Sequence, residues 1–102
     1  MLYLAHMVVR LPHDMPSDEA ERLKAREKAM ALDLQRSGEW RHLWRVAGEY
    51  ANYSVFDVES HDRLHDLLSG LPLFPYMDVE VTPLATHPSA LAALAQDPDR
   101  DV

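Results

Sequence analysis

The sequence contains no cysteine, which excludes disulfides, thiolate nucleophiles and cysteine-ligated metals. Only three of its 102 residues are glycine, and neither a glycine-rich phosphate loop nor a Gly-x-Ser-x-Gly nucleophile motif occurs. No segment approaches the roughly 20 apolar residues that span a bilayer. The apolar start contains His6 and has no basic region before it, which favours a strand over a signal peptide. We therefore expect a cytoplasmic protein that does not enter a membrane.

Basic side chains are in the minority, because ten lysines and arginines stand against seventeen acidic residues and the net charge is −7. Such a protein repels nucleic acid and anionic lipid unless its cations cluster. They cluster only weakly, within residues 24–28 and 41–45, and two small patches suit a small anion better than a polymer. The length fits one domain, which oligomerisation would stabilise by burying more surface.

The first half of the chain predicts a strand followed by a long helix. Apolar side chains alternate over residues 2–11, which is typical of a strand with one face in a core. The helix should run over residues 18–37, with Ser17 as its N-cap. Gly38 supplies the left-handed stop at its C-terminal end.

The second half predicts a hairpin, a shorter helix and a last strand. Aromatic and β-branched residues over 40–47 and 50–58 indicate the hairpin. Ser60 should cap the second helix, and Gly70 should end it. A final strand over residues 76–81 would turn three side chains inward, namely Met77, Val79 and Val81.

The order strand–helix–strand–strand–helix–strand predicts an α+β fold, the ferredoxin-like βαββαβ sandwich with one antiparallel sheet and two helices on one face. We assign residues 1–84 to this domain and 85–102 to a partly flexible C-terminal extension, with a short helix over 89–95. Aliphatic residues of the first strand would lie on the uncovered sheet face, namely Leu2, Leu4 and Val8. Face-to-face dimerisation of two sheets is the simplest way to cover them.

Glu27 is out of place on the first helix. An α-helix turns by about 100° per residue, so every member of the apolar stripe lies within about 60° of Glu27. That stripe comprises Ala20, Leu23, Met30, Ala31 and Leu34. Buried glutamate is rare unless it is paired, and desolvation raises its pKa. A carboxyl group that titrates near neutrality can both take and return a proton, which is the behaviour of a general base in a pocket.

Two structural alternatives to a catalytic role stay open for Glu27. It could form a buried ion pair with Arg41, Arg45 or His42 on the sheet. It could instead lie where the helix diverges from the sheet and reach water. Periodicity alone does not decide among the three interpretations.

Other polar residues carry weaker signals. Arg41 and Arg45 bracket Leu43 and could clamp a carboxylate between two guanidinium groups, or pair with acidic residues across the sheet. His61 and His65 have the spacing of a metal-binding pair, but no third ligand is evident, and we expect a solvated helix face and no metal.

The hairpin offers further donors. His42, between Trp40 and Trp44, is plausible as a pocket residue. Tyr53 faces the opposite side of its strand from Tyr50 and Asn52, and the sequence does not tell which side meets a pocket.

Several runs of rare residues resemble the muconolactone delta-isomerase family. The likeness covers roughly residues 1–90 and is strongest in these segments: 40–45 (WRHLWR), 50–58 (YANYSVFDV), 71–78 (LPLFPYMD) and 87–89 (HPS). Met7, Met15, the pair at 11–12 and the residues 23–24 and 27–28 also fit. The resemblance implies a ferredoxin-like fold paired as a dimeric α+β barrel, and a homo-oligomer that is typically a decamer.

The resemblance also implies an activity. Family members convert muconolactone to 3-oxoadipate enol-lactone in catechol (β-ketoadipate) degradation, with neither a metal nor an organic cofactor. A glutamate that matches Glu27 is the family's proposed proton carrier, in agreement with the helical-face argument.

Applied to this chain, the family's chemistry is an intramolecular proton transfer on a small lactone carboxylate. Glu27 is the expected catalytic base. The anionic intermediate needs hydrogen-bond donors, for which the candidates are Lys24, His42, Asn52 and Tyr53. The acetate arm needs a cation, for which the candidates are Arg41, Arg45 and Lys28. Two aromatic residues would wall the pocket, namely Trp44 and Tyr50.

Two rival functions remain at this stage. A chloromuconolactone dehalogenase would remove the same ring proton and expel chloride, and only a comparison of both substrates separates it from the isomerase. A non-catalytic ligand-binding or assembly module of the same fold is the other alternative. Glu27 argues against that module, because a pure scaffold would be more stable with leucine there.

Overall fold

The computed structural model describes residues 1–91 and confirms the predicted order of elements. The strands and helices are β1 (Leu2–Val9), α1 (Ser17–Ser37), β2 (Trp40–Arg45), β3 (Ala51–Asp57), α2 (His61–Ser69) and β4 (Met77–Leu84). A single 3-10 turn, Phe74–Tyr76, leads into β4. Of the helix expected over 89–95, residues 89–91 are not helical and the others lie outside the described residues.

The four strands form one antiparallel sheet in the order β2-β3-β1-β4. Alternate side chains of β1 and β3 enter the core, where they meet both helices. The centre of that core comprises Tyr3, Ala5 and Met7 of β1, Phe56 of β3, Ala31 of α1, and Leu64, Leu67 and Leu68 of α2. Because both helices bury their apolar stripes against one sheet face, the predicted ferredoxin-like sandwich is confirmed.

The opposite sheet face carries aliphatic and aromatic side chains. Leu2, Leu4 and Val8 are half-buried there. His6 stacks on Tyr53 with ring centroids 4.6 Å apart. Dimerisation through this face stays a prediction. Within residues 1–91, no helix is both long and apolar enough to cross a membrane.

The last strand is longer than expected. It continues to Leu84 rather than ending at Val81, and Pro83 pairs with Tyr3 within it. Proline is tolerated because β4 is an edge strand, whose outer N–H groups need no partner. Val81 was expected inward but is 40% exposed, since only Met77 and Val79 of this strand pack against the core.

The ends of α1 agree with expectation at one terminus only. Ser17 is the first helical residue rather than the N-cap, which is Pro16, and no side chain caps this end. The helix starts one residue early because the Ala20 N–H donates to the Pro16 carbonyl at 3.0 Å. At the other end Gly38 adopts a left-handed φ of 88°, as predicted.

Gly38→Ala should lower the free energy of unfolding by about 1 kcal/mol, because alanine is strained at positive φ. Nothing lies within 4 Å of an added Cβ, so the cost comes from the backbone alone. Gly38→Asn is the matched control and should cost less, since asparagine tolerates the left-handed region. Urea unfolding of the three proteins checks this; equal stability of the alanine variant and wild type would contradict it.

Candidate functional site

A cavity of about 910 Å³ lies between α1 and the β2–β3 side of the sheet. Eight apolar and eight polar or charged residues line it, together with Gly48. The apolar part comprises Val9, Ala31, Leu32, Trp40, Leu43, Ala51, Leu73 and Met77. The polar and charged part comprises Lys24, Glu27, Lys28, Gln35, Arg45, Glu49, Tyr50 and Asn52. The volume fits a small organic ligand.

Glu27 lies on the cavity wall, half-buried, as its place in the apolar stripe predicts. Its Oε1 accepts a hydrogen bond from the backbone N–H of Leu73 at 3.0 Å. Among residues 1–91 no basic side chain forms an ion pair with it. The structure therefore does not form the buried ion pair. The other alternative, a carboxylate that reaches water where the helix diverges from the sheet, agrees with its half-buried position on the cavity wall and does not exclude a catalytic role.

The environment of Glu27 shifts its proton affinity. Burial raises the pKa of the Glu27 carboxyl above its ordinary value, and the hydrogen bond from Leu73 opposes part of that rise. The net shift of the pKa is upward because partial burial removes water from the charged form, and the one hydrogen bond from Leu73 offsets only part of that effect. A group in this state can exchange protons closer to neutrality than an exposed glutamate.

Two cations meet one aromatic ring beside Glu27. The Nζ of Lys24 is 5.6 Å from the centroid of the Tyr50 ring, and the Cζ of Arg45 is 5.3 Å from the same centroid. Lys24 lies one helical turn before Glu27 and Lys28, so that all three share the cavity side of α1. Arg45 pairs with Asn52 across β2 and β3, which places both at the same level of the sheet.

The structure brings together six of the ten candidate site residues. Glu27, Lys24, Lys28, Arg45, Tyr50 and Asn52 line the cavity. Arg41, His42, Trp44 and Tyr53 do not line it. The Arg41 guanidinium lies 3.9 Å from Asp57 instead, so residues 1–91 do not bring the two arginines together as a clamp at this cavity.

A β-bulge explains this division. The register shifts between Trp40 and His42, and Arg41 is the extra residue. Beyond the bulge His42 pairs with Val55, and Trp44 pairs with Tyr53. These residues therefore share the sheet face opposite the helices, where the rings of His42 and Trp44 stack with centroids 5.1 Å apart.

Several cavity residues had no sequence signal that would single them out. Leu73 contributes a backbone N–H, and the identity of a side chain does not reveal where its amide points. Trp40 and Leu43 are apolar residues of a predicted strand, and their inward orientation depends on the bulge. The two prolines that flank Leu73 and Phe74 mark a stiff connector, and its partner could not be inferred from the sequence.

The two histidines of α2 do not belong to a group of potential metal ligands among residues 1–91. His61 Nδ1 forms a short hydrogen bond with the Tyr3 hydroxyl, and His65 is exposed. Among the described residues no group of three or more potential ligands is close enough to hold a metal ion.

Comparison with known proteins identifies relatives along nearly the whole chain. The family profile for muconolactone delta-isomerase matches residues 1–90. A muconolactone delta-isomerase of Cupriavidus pinatubonensis is 67% identical over 91 residues, which cover 89% of this chain and 99% of that protein. Another, from Pseudomonas aeruginosa, is 60% identical over 93 residues, which cover 91% of this chain and 97% of that protein. This chain belongs to the muconolactone delta-isomerase family.

A solved structure agrees with that assignment. A crystal structure of muconolactone isomerase matches with a TM-score of 0.85 at 60% sequence identity, over 89% of this chain and 95% of the other. The span that matches the muconolactone delta-isomerase family includes every residue that lines the cavity. The family resemblance, the fold and the cavity therefore concern the same part of the molecule.

Glu27→Gln should raise the free energy of unfolding near neutral pH, because an amide fills the same space without a buried charge. The pKa of Glu27 is raised in the folded state, so folding favours the protonated form. Its contribution to stability is fully present below the ordinary glutamate pKa and is lost as the pH rises through the raised value. Urea unfolding at about pH 4 and about pH 7 measures this, and the gain over wild type should be larger at the higher pH. An equal difference at both would contradict it.

Proposed function

We propose that this chain is a muconolactone delta-isomerase, which shifts the ring double bond of muconolactone to give 3-oxoadipate enol-lactone. The observation that carries the proposal is Glu27, a half-buried carboxylate without an ion-pair partner in the described chain, on the wall of a cavity that also holds cations. The names of the relatives give the substrate class, a small lactone.

The chemistry requires one base. Glu27 removes the proton from the ring carbon that carries the acetate arm, and the electron pair left behind delocalises through the adjacent double bond onto the lactone carbonyl oxygen. The same carboxyl then returns the proton to the carbon next to that carbonyl. The double bond has moved by one position and no atom is gained or lost. A single group suffices where both carbons lie within its hydrogen-bond reach.

The intermediate is an anion and needs donors directed at its oxygen. Of the four candidates, Lys24 and Asn52 line the cavity, whereas His42 and Tyr53 lie on the opposite sheet face. Tyr50 also lines it and presents a hydroxyl. We therefore assign charge stabilisation to Lys24 and Asn52, with Tyr50 as a further donor.

The acetate arm of the substrate fits the cations around Tyr50. Arg45 offers a planar fork of N–H donors to a carboxylate, and it lies against the ring of Tyr50. Lys28 lines the same cavity and adds positive charge. The long-range attraction of these cations would also favour entry of an anionic substrate.

The remaining expectations complete the proposal. The sandwich of residues 1–84 would be the catalytic domain of a cytoplasmic homo-oligomer, with residues 85–102 as an extension of it. The aromatic and aliphatic residues opposite the helices would form the dimer interface, because a surface of this kind is stabilised by excluding water. The reaction would belong to the degradation of catechol.

Glu27→Gln should lower kcat by about 10²- to 10⁴-fold, the usual contribution of a positioned general base. The amide keeps the shape of the side chain and removes its basicity. Activity is followed by the ultraviolet absorbance of muconolactone, with circular dichroism as a check of folding. Turnover close to that of wild type would rule out Glu27 as the base.

The wild-type rate should fall as the pH drops through a pKa higher than that of ordinary glutamate.

Arg45→Met should raise KM by about 10- to 100-fold with a smaller effect on kcat, because it removes a charge-assisted contact to the acetate arm. Arg36→Met is the matched control, since Arg36 is on the exposed end of α1 and pairs with Asp33. It loses the same charge and should keep the KM of wild type. Equal effects of the two substitutions would mean that only the net charge matters.

A further inference from the structure

The segment that contacts Glu27 is held rigidly. Phe74 donates its N–H to the Leu71 carbonyl at 2.9 Å, and Tyr76 donates to the Leu73 carbonyl at the same distance. Pro72 and Pro75 fix two further φ angles. Leu71 and Leu73 are only 2% and 3% exposed, so their side chains anchor the turn in the core. The direction of the Leu73 N–H is thus determined by the fold, independently of any ligand.

The two oxygens of Glu27 are not equivalent. Oε1 accepts the Leu73 N–H at 3.0 Å, whereas Oε2 has no protein partner among residues 1–91. Both belong to a side chain on the wall of the cavity. The Leu73 N–H can only donate, and an unprotonated carboxylate oxygen is a better acceptor than a carboxyl oxygen that carries a proton. The hydrogen bond therefore favours protonation of Glu27 at Oε2.

We propose that the Leu73 backbone amide is a positioning group that binds one carboxylate oxygen of Glu27 and leaves the other as the sole oxygen that takes and returns the substrate proton. The inference rests on the proposed isomerase function and goes beyond it. It assigns a role to a main-chain group and distinguishes the two oxygens of the base. Leu73 itself touches no reacting atom in this scheme.

The amide also limits how far burial can disturb the base. A hydrogen bond to the charged form favours that form, so Leu73 lowers the pKa of Glu27 while burial raises it. Without the amide, the pKa of the carboxyl would be higher still, so at a given pH a smaller fraction of Glu27 would be ionised and able to accept the substrate proton. The Leu73 donor therefore lowers the pH at which the half-buried carboxylate can act as a base.

The other groups around the cavity do not replace this donor. The titratable side chains that line it are Lys24 and Lys28 on α1, Arg45 on β2, and Glu49 and Tyr50 before β3. None of them is hydrogen-bonded or ion-paired to Glu27 in the described chain. The residues of the 71–77 segment that line the cavity are Leu73 and Met77, which carry no charge.

Replacing Leu73 by its α-hydroxy acid analogue tests the proposal, because the resulting ester removes one N–H and retains the side chain. The two hydrogen bonds of the turn use neither the Leu73 N–H nor the Pro72 carbonyl and should survive. The acid limb of kcat/KM should move up by about one pH unit, as expected when a charged acceptor loses a hydrogen bond. At a pH below the new midpoint, kcat/KM should fall at least several-fold.

The same ester chemistry at Leu71 is the matched control. It removes the N–H that donates to the Leu68 carbonyl at 3.1 Å, in the same segment but away from Glu27. Stability should fall comparably while the acid limb stays in place. An unmoved limb in the Leu73 ester, or an equal shift in both esters, overturns the role of the amide. Loss of activity in Glu27→Gln together with such a result would leave the isomerase proposal intact.

A measurement on the unmodified backbone covers the case in which the ester protein does not fold. In protein labelled with ¹⁵N-leucine, the Leu73 amide signal should titrate with the midpoint of the acid limb. That titration should vanish in Glu27→Gln, whose side chain does not ionise. A Leu73 signal that is insensitive to pH across the acid limb in wild type would overturn the proposal.

Discussion

The site depends on one energetically unfavourable feature, the position of Glu27 in the middle of an apolar helix face. The carboxylate loses hydration there, and a single hydrogen bond from the Leu73 N–H compensates for part of that loss. Leucine at this position would pack better against the sheet. The same desolvation raises the pKa of the Glu27 carboxyl above its ordinary value, so local stability is exchanged for a higher proton affinity at this position.

The surrounding structure limits the energetic cost of placing Glu27 on this face. Elsewhere on the core side of α1 the stripe keeps apolar residues, and Ala31, one turn after Glu27, is buried against the sheet. The cavity is open to substrate beside Glu27, so the carboxylate is only half-buried and the penalty stays moderate. The nearby cations contact Tyr50 rather than Glu27. Lys24 Nζ also lies 3.6 Å from Glu21 Oε1, and neither Lys24 nor Arg45 forms an ion pair with the Glu27 carboxylate among residues 1–91.

Much of this arrangement follows from local rules in the sequence. Periodicity predicts both helices, Gly38 marks the end of the first, and the helical wheel places Glu27 on the core face, where the structure has it on the cavity wall. The details that the sequence pattern does not predict depend on long-range geometry. The N-terminal end of α1, the length of β4 and the Leu73 amide are set by neighbours distant in sequence or by the main chain. The pattern of side chains along the sequence predicts neither distant contacts nor the direction of a main-chain N–H.

The composition of the cavity depends on a single extra residue. In a regular strand, Trp40, His42 and Trp44 would share one face, and Leu43 and Arg45 would share the other. The bulge at Arg41 reverses the alternation, so that Arg45 joins Trp40 on the cavity side while His42 and Trp44 move to the opposite face. At the cavity wall, the guanidinium group of Arg45 thereby takes the place of the two aromatic rings of His42 and Trp44. The cavity becomes suited to an anion, and the rings enlarge the apolar surface of the other face, where a second chain could bury them. One backbone irregularity thus determines the character of both sheet faces, and this is why the alternation of residues in the sequence could not separate cavity-lining residues from those of the opposite face.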